Sequence, residues 1–139
     1  MSRAYAGDIT PEQAWRLLSE NPEAVLVDVR TEAEWRFVGV PDLSSLGRAV
    51  VYIEWNCVDG TRNQKFVADL LDQVPASTDR PVAFLCRSGN RSIGAALAAT
   101  EAGIAPSYNV LDGFEGHLDA AGHRGASGWR AIGLPWRQS

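Results

Sequence analysis

Only two cysteines, Cys57 and Cys86, occur in 139 residues. That is too few for a disulfide framework or a four-thiolate zinc site, and in a reducing compartment both are free thiols. Lysine is almost missing: Lys65 stands alone beside twelve arginines. An anion site here must therefore be built from guanidinium and backbone N–H groups. Seventeen acidic against thirteen basic residues leave a net charge of −4, which argues against a general nucleic-acid binder. Uninterrupted apolar runs, such as Val82 to Cys86, stop at five residues, far below the roughly 20 that a spanning helix needs. Met1-Ser2-Arg3 leads into no apolar segment of the secretory type. These absences predict a cytoplasmic domain with neither a nucleic-acid nor a membrane partner.

What is present suffices for a core. Leu, Ile, Val and Phe make up 33 of the 139 residues, above the level of disordered chains. At this length about two-thirds of the surface can be buried, so one domain needs no metal or disulfide staple. Residues 5–136 read as that domain, with short tails at 1–4 and 137–139.

The pattern along the chain alternates strands with helices. Thr10, Pro11 and Gln13 form a cap, first turn and capping box for a helix with Ala14, Leu17 and Leu18 on its apolar side. Residues 24–29 read as a buried strand, 31–37 as a short helix and 49–53 as a second buried strand. A helical period runs over 61–74, pairing Phe66 with Leu70 and Val67 with Leu71 and Val74. Residues 82–85 form a third buried strand. A helix over about 91–102 follows, with Ile93 stacked on Leu97 and Gly103 as its stop. Residues 108–111 give a further strand, and 5–9 a candidate one. Glycines 113, 116, 122, 125 and 128 punctuate a loop before Trp129. Apolar strands alternating with helices imply a small three-layer α/β domain, its mainly parallel sheet covered by helices on both faces.

The stretch Cys86-Arg87-Ser88-Gly89-Asn90-Arg91-Ser92 carries the chemistry. It joins the end of a buried parallel strand to a helix, where open α/β sheets place their ligand crevices. Such a turn aims backbone N–H groups at one point, and the helix start adds its own unpaired donors. Gly89 lets the turn close, while Arg87 and Arg91 add positive charge. The expected product is an anion cradle with a sulfur at its base, an environment that favours thiolate over the thiol of a merely packed cysteine.

Together with Asp28-Val29-Arg30-Thr31-Glu32-Ala33-Glu34-Trp35, the pair Val40-Pro41 and Gly133-Leu134-Pro135-Trp136, this loop resembles a single-domain rhodanese from about residue 5 to 136. The resemblance implies a sulfurtransferase that uses no cofactor. A donor such as thiosulfate gives its outer sulfur to Cys86, and cyanide or a thiol, either a small one or that of a thioredoxin-like protein, removes it. Ser88, Gly89, Asn90 and Arg91 are implied to supply loop N–H groups, and Arg87 and Arg91 to attract the anionic donor. Asp28 and Arg30 read as buttresses, and Glu34 as an ion-pair partner. Where many members read Gly-His-Ile-Pro-Gly-Ala, this chain has Val38-Gly39-Val40-Pro41-Asp42-Leu43. The missing histidine bears on packing and partner choice, since the mechanism requires no histidine base.

Two rival functions fit parts of the same loop. A cysteine phosphatase in its usual form has five residues between Cys and Arg; here Cys86 and Arg91 enclose four, and the fifth position brings Ser92. An inactive rhodanese-like binding module commonly lacks the cysteine that this chain keeps. Among other residues, Cys57 is a candidate resolving thiol. His117 and His123, with Asp112, Glu115 and Asp119, lack helical metal-ligand spacing and read as solvated loop with no metal. Trp129-Arg130 and Trp136-Arg137 read as a tail packed on the domain rather than a base-stacking surface.

Overall fold

Strand β1 (Gly7–Ile9) leads into helix α1 (Pro11–Glu20) in the computed structural model, which describes residues 5–138. The helix begins where its capping residues predict. Thr10 Oγ1 accepts the Gln13 N–H at 3.1 Å, and Gln13 Oε1 accepts the Thr10 N–H at 2.8 Å. This reciprocal pair satisfies donors that a helix start otherwise leaves open. Strand β2 (Val25–Asp28) follows, and Thr31 with Glu34 repeats the capping box at helix α2 (Glu32–Phe37).

The remaining elements are β3 (Val40–Pro41), a 3₁₀ turn (Ser44–Leu46), β4 (Val51–Tyr52), α3 (Phe66–Gln73), β5 (Val82–Leu85), α4 (Arg91–Glu101), β6 (Ser107–Val110) and β7 (Trp136–Arg137). Five strands form one parallel sheet in the order β1-β6-β5-β2-β4. β3 and β7 pair separately as an antiparallel ribbon that includes Arg137. Successive side chains of a strand point to opposite faces, and the core divides accordingly. Val27, Val82 and Phe84 pack with Phe66, Leu70, Ala95 and Ala99 on one side. Leu26, Ala83 and Leu85 pack with Ala14, Leu18, Phe114 and Trp129 on the other. The three-layer α/β architecture read from the sequence is thus the one observed.

Two local expectations are corrected. The helix expected over 61–74 begins only at Phe66, because the Asp59 carboxylate holds a turn instead. It accepts the Thr61 N–H at 3.0 Å, while the Cys57 N–H reaches the Thr61 carbonyl at 2.7 Å and Asn56 bridges to Arg62. Phe66 and Leu70 are the buried row of α3, continued by Val74 just past its end, and Val67 is exposed. The strand expected over 49–53 shrinks to Val51–Tyr52 at the sheet edge, where only one side has a neighbour. On α4, Ser92, Ala95, Ala96 and Ala99 face the core, and Ile93 and Leu97 are half-buried. Small side chains let this helix lie close on the sheet, just where it receives the cysteine loop.

Of the tail tryptophans, Trp129 is packed as read and Trp136 is partly exposed. Trp129 is fully buried, gives its Nε1–H to the Pro135 carbonyl at 2.7 Å and meets Trp15 edge to face at 5.9 Å. Trp136 meets the Phe114 ring edge to face at 6.1 Å.

Candidate active site

Cys86 is the residue after β5, so the alternation of Val82 and Phe84 carries it to the face covered by α3 and α4. It is buried, 1 % exposed. Its sulfur has two partners: the Gly89 N–H donates to Sγ at 3.1 Å, and the Ser92 hydroxyl lies 3.2 Å away. Gly89 reaches this position with φ +101°, a conformation open to glycine, and a Cβ there would press on the Asp112 amide nitrogen at 3.2 Å. Among the described residues, no acceptor meets the N–H of Ser88 or Asn90.

A second loop fixes the first from below. The Phe114 N–H donates to the Cys86 carbonyl at 2.8 Å, and the Glu115 and Gly116 N–H groups donate to the Arg87 carbonyl at 2.9 and 3.2 Å. With both carbonyls held on that side, the orientation of the peptide planes at the start of the cysteine loop is set. Gly113 makes the approach possible: an added Cβ would lie 2.3 Å from the Cys86 carbonyl oxygen. In the sequence, residues 113–128 show only as a glycine-rich loop. Its available signal was the glycine spacing, but the partner of those glycines lies far back in the chain.

The two arginines diverge. Arg91, expected to attract an anion, gives its guanidinium to Glu34 in a two-pronged pair at 2.8 and 3.0 Å. Burial alone would raise the Glu34 pKa, but the Arg91 hydrogen bonds and charge and the Thr31 N–H hold it below the usual carboxylate range. Burial likewise works against the Arg91 charge, which Glu34 and the nearby Cys86 sulfur outweigh. The paired guanidinium ties α4 to α2. Arg87 is exposed and its guanidinium has no partner among the described residues. It is the free positive charge of the loop.

Beneath β5 lies the Asp28–Arg30 pair, both side chains fully buried. Arg30 Nη2 meets Asp28 Oδ2 at 2.7 Å and the Gly39 carbonyl at 2.8 Å, and the guanidinium stacks over the Phe114 ring at 4.3 Å. Phe114 is the residue whose N–H holds the Cys86 carbonyl, so this pair braces the clamp under the cysteine. The buttress role read from the sequence is the geometry found. A hollow of about 460 Å³ lined by Glu32, Trp35, Tyr52, Glu54, Asp69 and Asp72 does not include the cysteine loop, and its carboxylates would repel an anion.

A family model described as the STR4 middle domain matches residues 6–139. The chain belongs to the STR4 middle-domain family. A crystal structure of Rv0390 from M. tuberculosis is 76% identical, with a TM-score of 0.92, and the match covers 97% of this chain and 99% of that one. The Rickettsia conorii protein RC0915 is 36% identical over 130 residues, 94% of this chain and 96% of the relative. A rhodanese-like domain protein from Staphylococcus aureus shares the fold at 18% identity, with a TM-score of 0.58 and 96% and 99% coverage. The chain has the rhodanese-like fold of that protein.

In this STR4-type domain, of the five loop residues from Arg87 to Arg91, the structure places the Gly89 N–H on the Cys86 sulfur and the Arg91 guanidinium on Glu34. Cys57 is half-buried in the hairpin at Asp59-Gly60, and both cysteines are free. His117 Nε2 lies 3.1 Å from Asp112 Oδ1, with both side chains substantially exposed. Ser92, the last residue of the loop read from the sequence, lies beside the sulfur, and the strand residue Asn109 behind it carries no mark in the sequence. No helix among the described residues is long and apolar enough to cross a membrane.

Proposed function

We propose that the protein is a sulfurtransferase that carries a sulfane sulfur on Cys86. The observation that supports this best is the Gly89 N–H directed at Cys86 Sγ, at the head of a helix and at the sheet end where such folds bind ligands. The Cys86 thiolate attacks the outer sulfur of thiosulfate. The donor's S–S bond breaks, sulfite leaves with the electron pair, and Cys86 becomes a persulfide. A thiolate or cyanide then attacks the outer sulfur and leaves as an acceptor persulfide or thiocyanate, and Cys86 returns as thiolate.

In this reading Arg87 draws in the dianionic donor. The Ser88, Gly89, Asn90 and Arg91 N–H groups receive the terminal sulfur, and Arg91 acts through its pair with Glu34 to hold the helix start. The cytoplasmic acceptor is a small thiol or the thiol of a thioredoxin-like protein. Neither a metal nor a cofactor enters the reaction.

The ring of four residues between Cys86 and Arg91 accommodates one sulfur and crowds a phosphoryl group with three equatorial oxygens. The same preparation should therefore form thiocyanate from thiosulfate and cyanide while leaving an aryl phosphate intact. Cys57→Ser should keep most of the thiocyanate rate. Arg87→Ala should raise the KM for thiosulfate several-fold, about 1 kcal/mol of lost ion attraction, with a smaller effect at high salt. Aryl phosphate turnover that requires Cys86, without thiocyanate formation, would overturn the proposal.

A further inference from the structure

Behind the sulfur runs a chain of hydrogen bonds that ends at the sheet edge. Ser92 Oγ donates to Asn109 Oδ1, and Asn109 Nδ2 donates to Asp8 Oδ1 at 3.1 Å. Asp8 Oδ1 also accepts the Tyr5 hydroxyl at 3.0 Å. Ser92 and Asn109 are buried, at 0 % and 1 % exposed, while Asp8 stands at the surface on β1. Parallel pairing of β1 with β6 sets Asp8 opposite Asn109, and pairing of β6 with β5 sets Asn109 opposite Phe84, two residues before Cys86.

The direction of this chain follows from its ends. A carboxylate only accepts, so Asp8 fixes the Asn109 amide with its NH₂ outward and its oxygen toward Ser92. Ser92 has a single hydroxyl hydrogen, and Asn109 takes it. What Ser92 then offers Cys86 is a lone pair, which pairs with a thiol S–H and has nothing to give a thiolate. To donate to the thiolate, Ser92 must turn its hydrogen to Sγ and leave the buried Asn109 oxygen unpaired, which is unfavourable.

We propose that Asn109, oriented by Asp8, is a positioning residue that turns the Ser92 hydroxyl away from Cys86 and so restrains formation of the reactive thiolate. This rests on the reading of Cys86 as the reacting sulfur. Gly89 and Asn109 then act in opposite senses, one favouring the charged sulfur and the other the neutral one.

The test is iodoacetamide alkylation of Cys86 between pH 5 and 9, in a Cys57→Ser background, followed by mass. Asn109→Val removes the competing acceptor. Alkylation at pH 6.5 should become roughly five- to tenfold faster, with the profile displaced to lower pH and the limiting rate at high pH unchanged. Asp8→Ala, at an exposed position, frees the amide to turn and should act in the same direction even where Asn109→Val folds poorly. Both accelerations should vanish when Ser92→Ala is added, because the effect passes through its hydroxyl.

The charged groups of the elements around Cys86 are Arg87 of the loop, Arg91 with Glu34, the Asp28–Arg30 pair and Asp112, and these stay constant across the Asn109 series. Loss of the Asp8 charge alone would speed alkylation with or without Ser92. Wild-type profiles in both single variants, or acceleration that persists in Ser92→Ala, would overturn the proposal. Alkylation does not depend on sulfur transfer. The predicted pattern without thiocyanate formation would therefore remove the sulfurtransferase reading and leave the relay standing, and the converse result would do the reverse.

Discussion

Asp28→Ala is expected to lose about 3–5 kcal/mol of folding stability, a large share of the 5–15 kcal/mol typical of a domain. Both members of the Asp28–Arg30 pair are fully buried. Removing the carboxylate leaves the Arg30 guanidinium in the core with the Gly39 carbonyl and the face of Phe114 as its remaining contacts. A charge that can neither reach water nor shed its proton makes the folded state pay the desolvation cost without compensation. Arg36→Ala breaks an ion pair too, with Glu32, but that pair is 3.7 Å long and 65 % exposed on both sides. It should change stability by less than about 1 kcal/mol. Urea denaturation of the two variants makes the comparison. If Asp28→Ala unfolds at nearly the same urea concentration as Arg36→Ala, the buried pair does not brace the site as described.

Gly113→Ala should damage both stability and catalysis. At φ +55° an alanine is strained, and its Cβ would stand 2.3 Å from the Cys86 carbonyl oxygen and 2.7 Å from the Arg87 carbonyl. These are backbone atoms, held by the N–H groups of the same loop, so they cannot yield as a side-chain tip would. Steric strain and overpacking together should cost roughly 2–5 kcal/mol. Whatever relaxation occurs must separate the two loops, so thiocyanate formation should fall by more than the unfolded fraction explains. Gly122→Ala is the control, with φ +83° and nothing within 4 Å of the added atom. It should lose only the backbone preference, about 1–2 kcal/mol, and keep its activity. Equal behaviour of the two variants would remove the 112–116 clamp from the mechanism.

The contrast between these glycines shows what a single sequence can carry. The cysteine loop was legible because its parts are local: a buried strand, a glycine turn, two arginines and a helix start occur within a dozen residues. The capping boxes at Thr10 and Thr31 were open to the same reading, and the first was made. The later helix start at Phe66 was not legible because the polar residues 61–65 contain neither glycine nor proline to mark a break, while the Asp59 turn holds Thr61 locally. The pairing of Arg91 was not legible because Glu34 lies on another helix, and a sequence shows two charges without showing that they meet. Asn109 gave no signal at all. Its importance depends on the register of three adjacent strands, and a lone asparagine in a strand carries no mark of what stands opposite.

The most direct measurement is the mass of the intact protein after incubation with thiosulfate and again after cyanide, followed by peptide mapping. The proposed mechanism predicts a gain of one sulfur, located on the Cys86 peptide, and its complete loss to cyanide as thiocyanate. Cys86→Ser should show neither change while remaining folded. Sulfur carried on Cys57, or no gain in mass by a folded protein with a free Cys86, would contradict it.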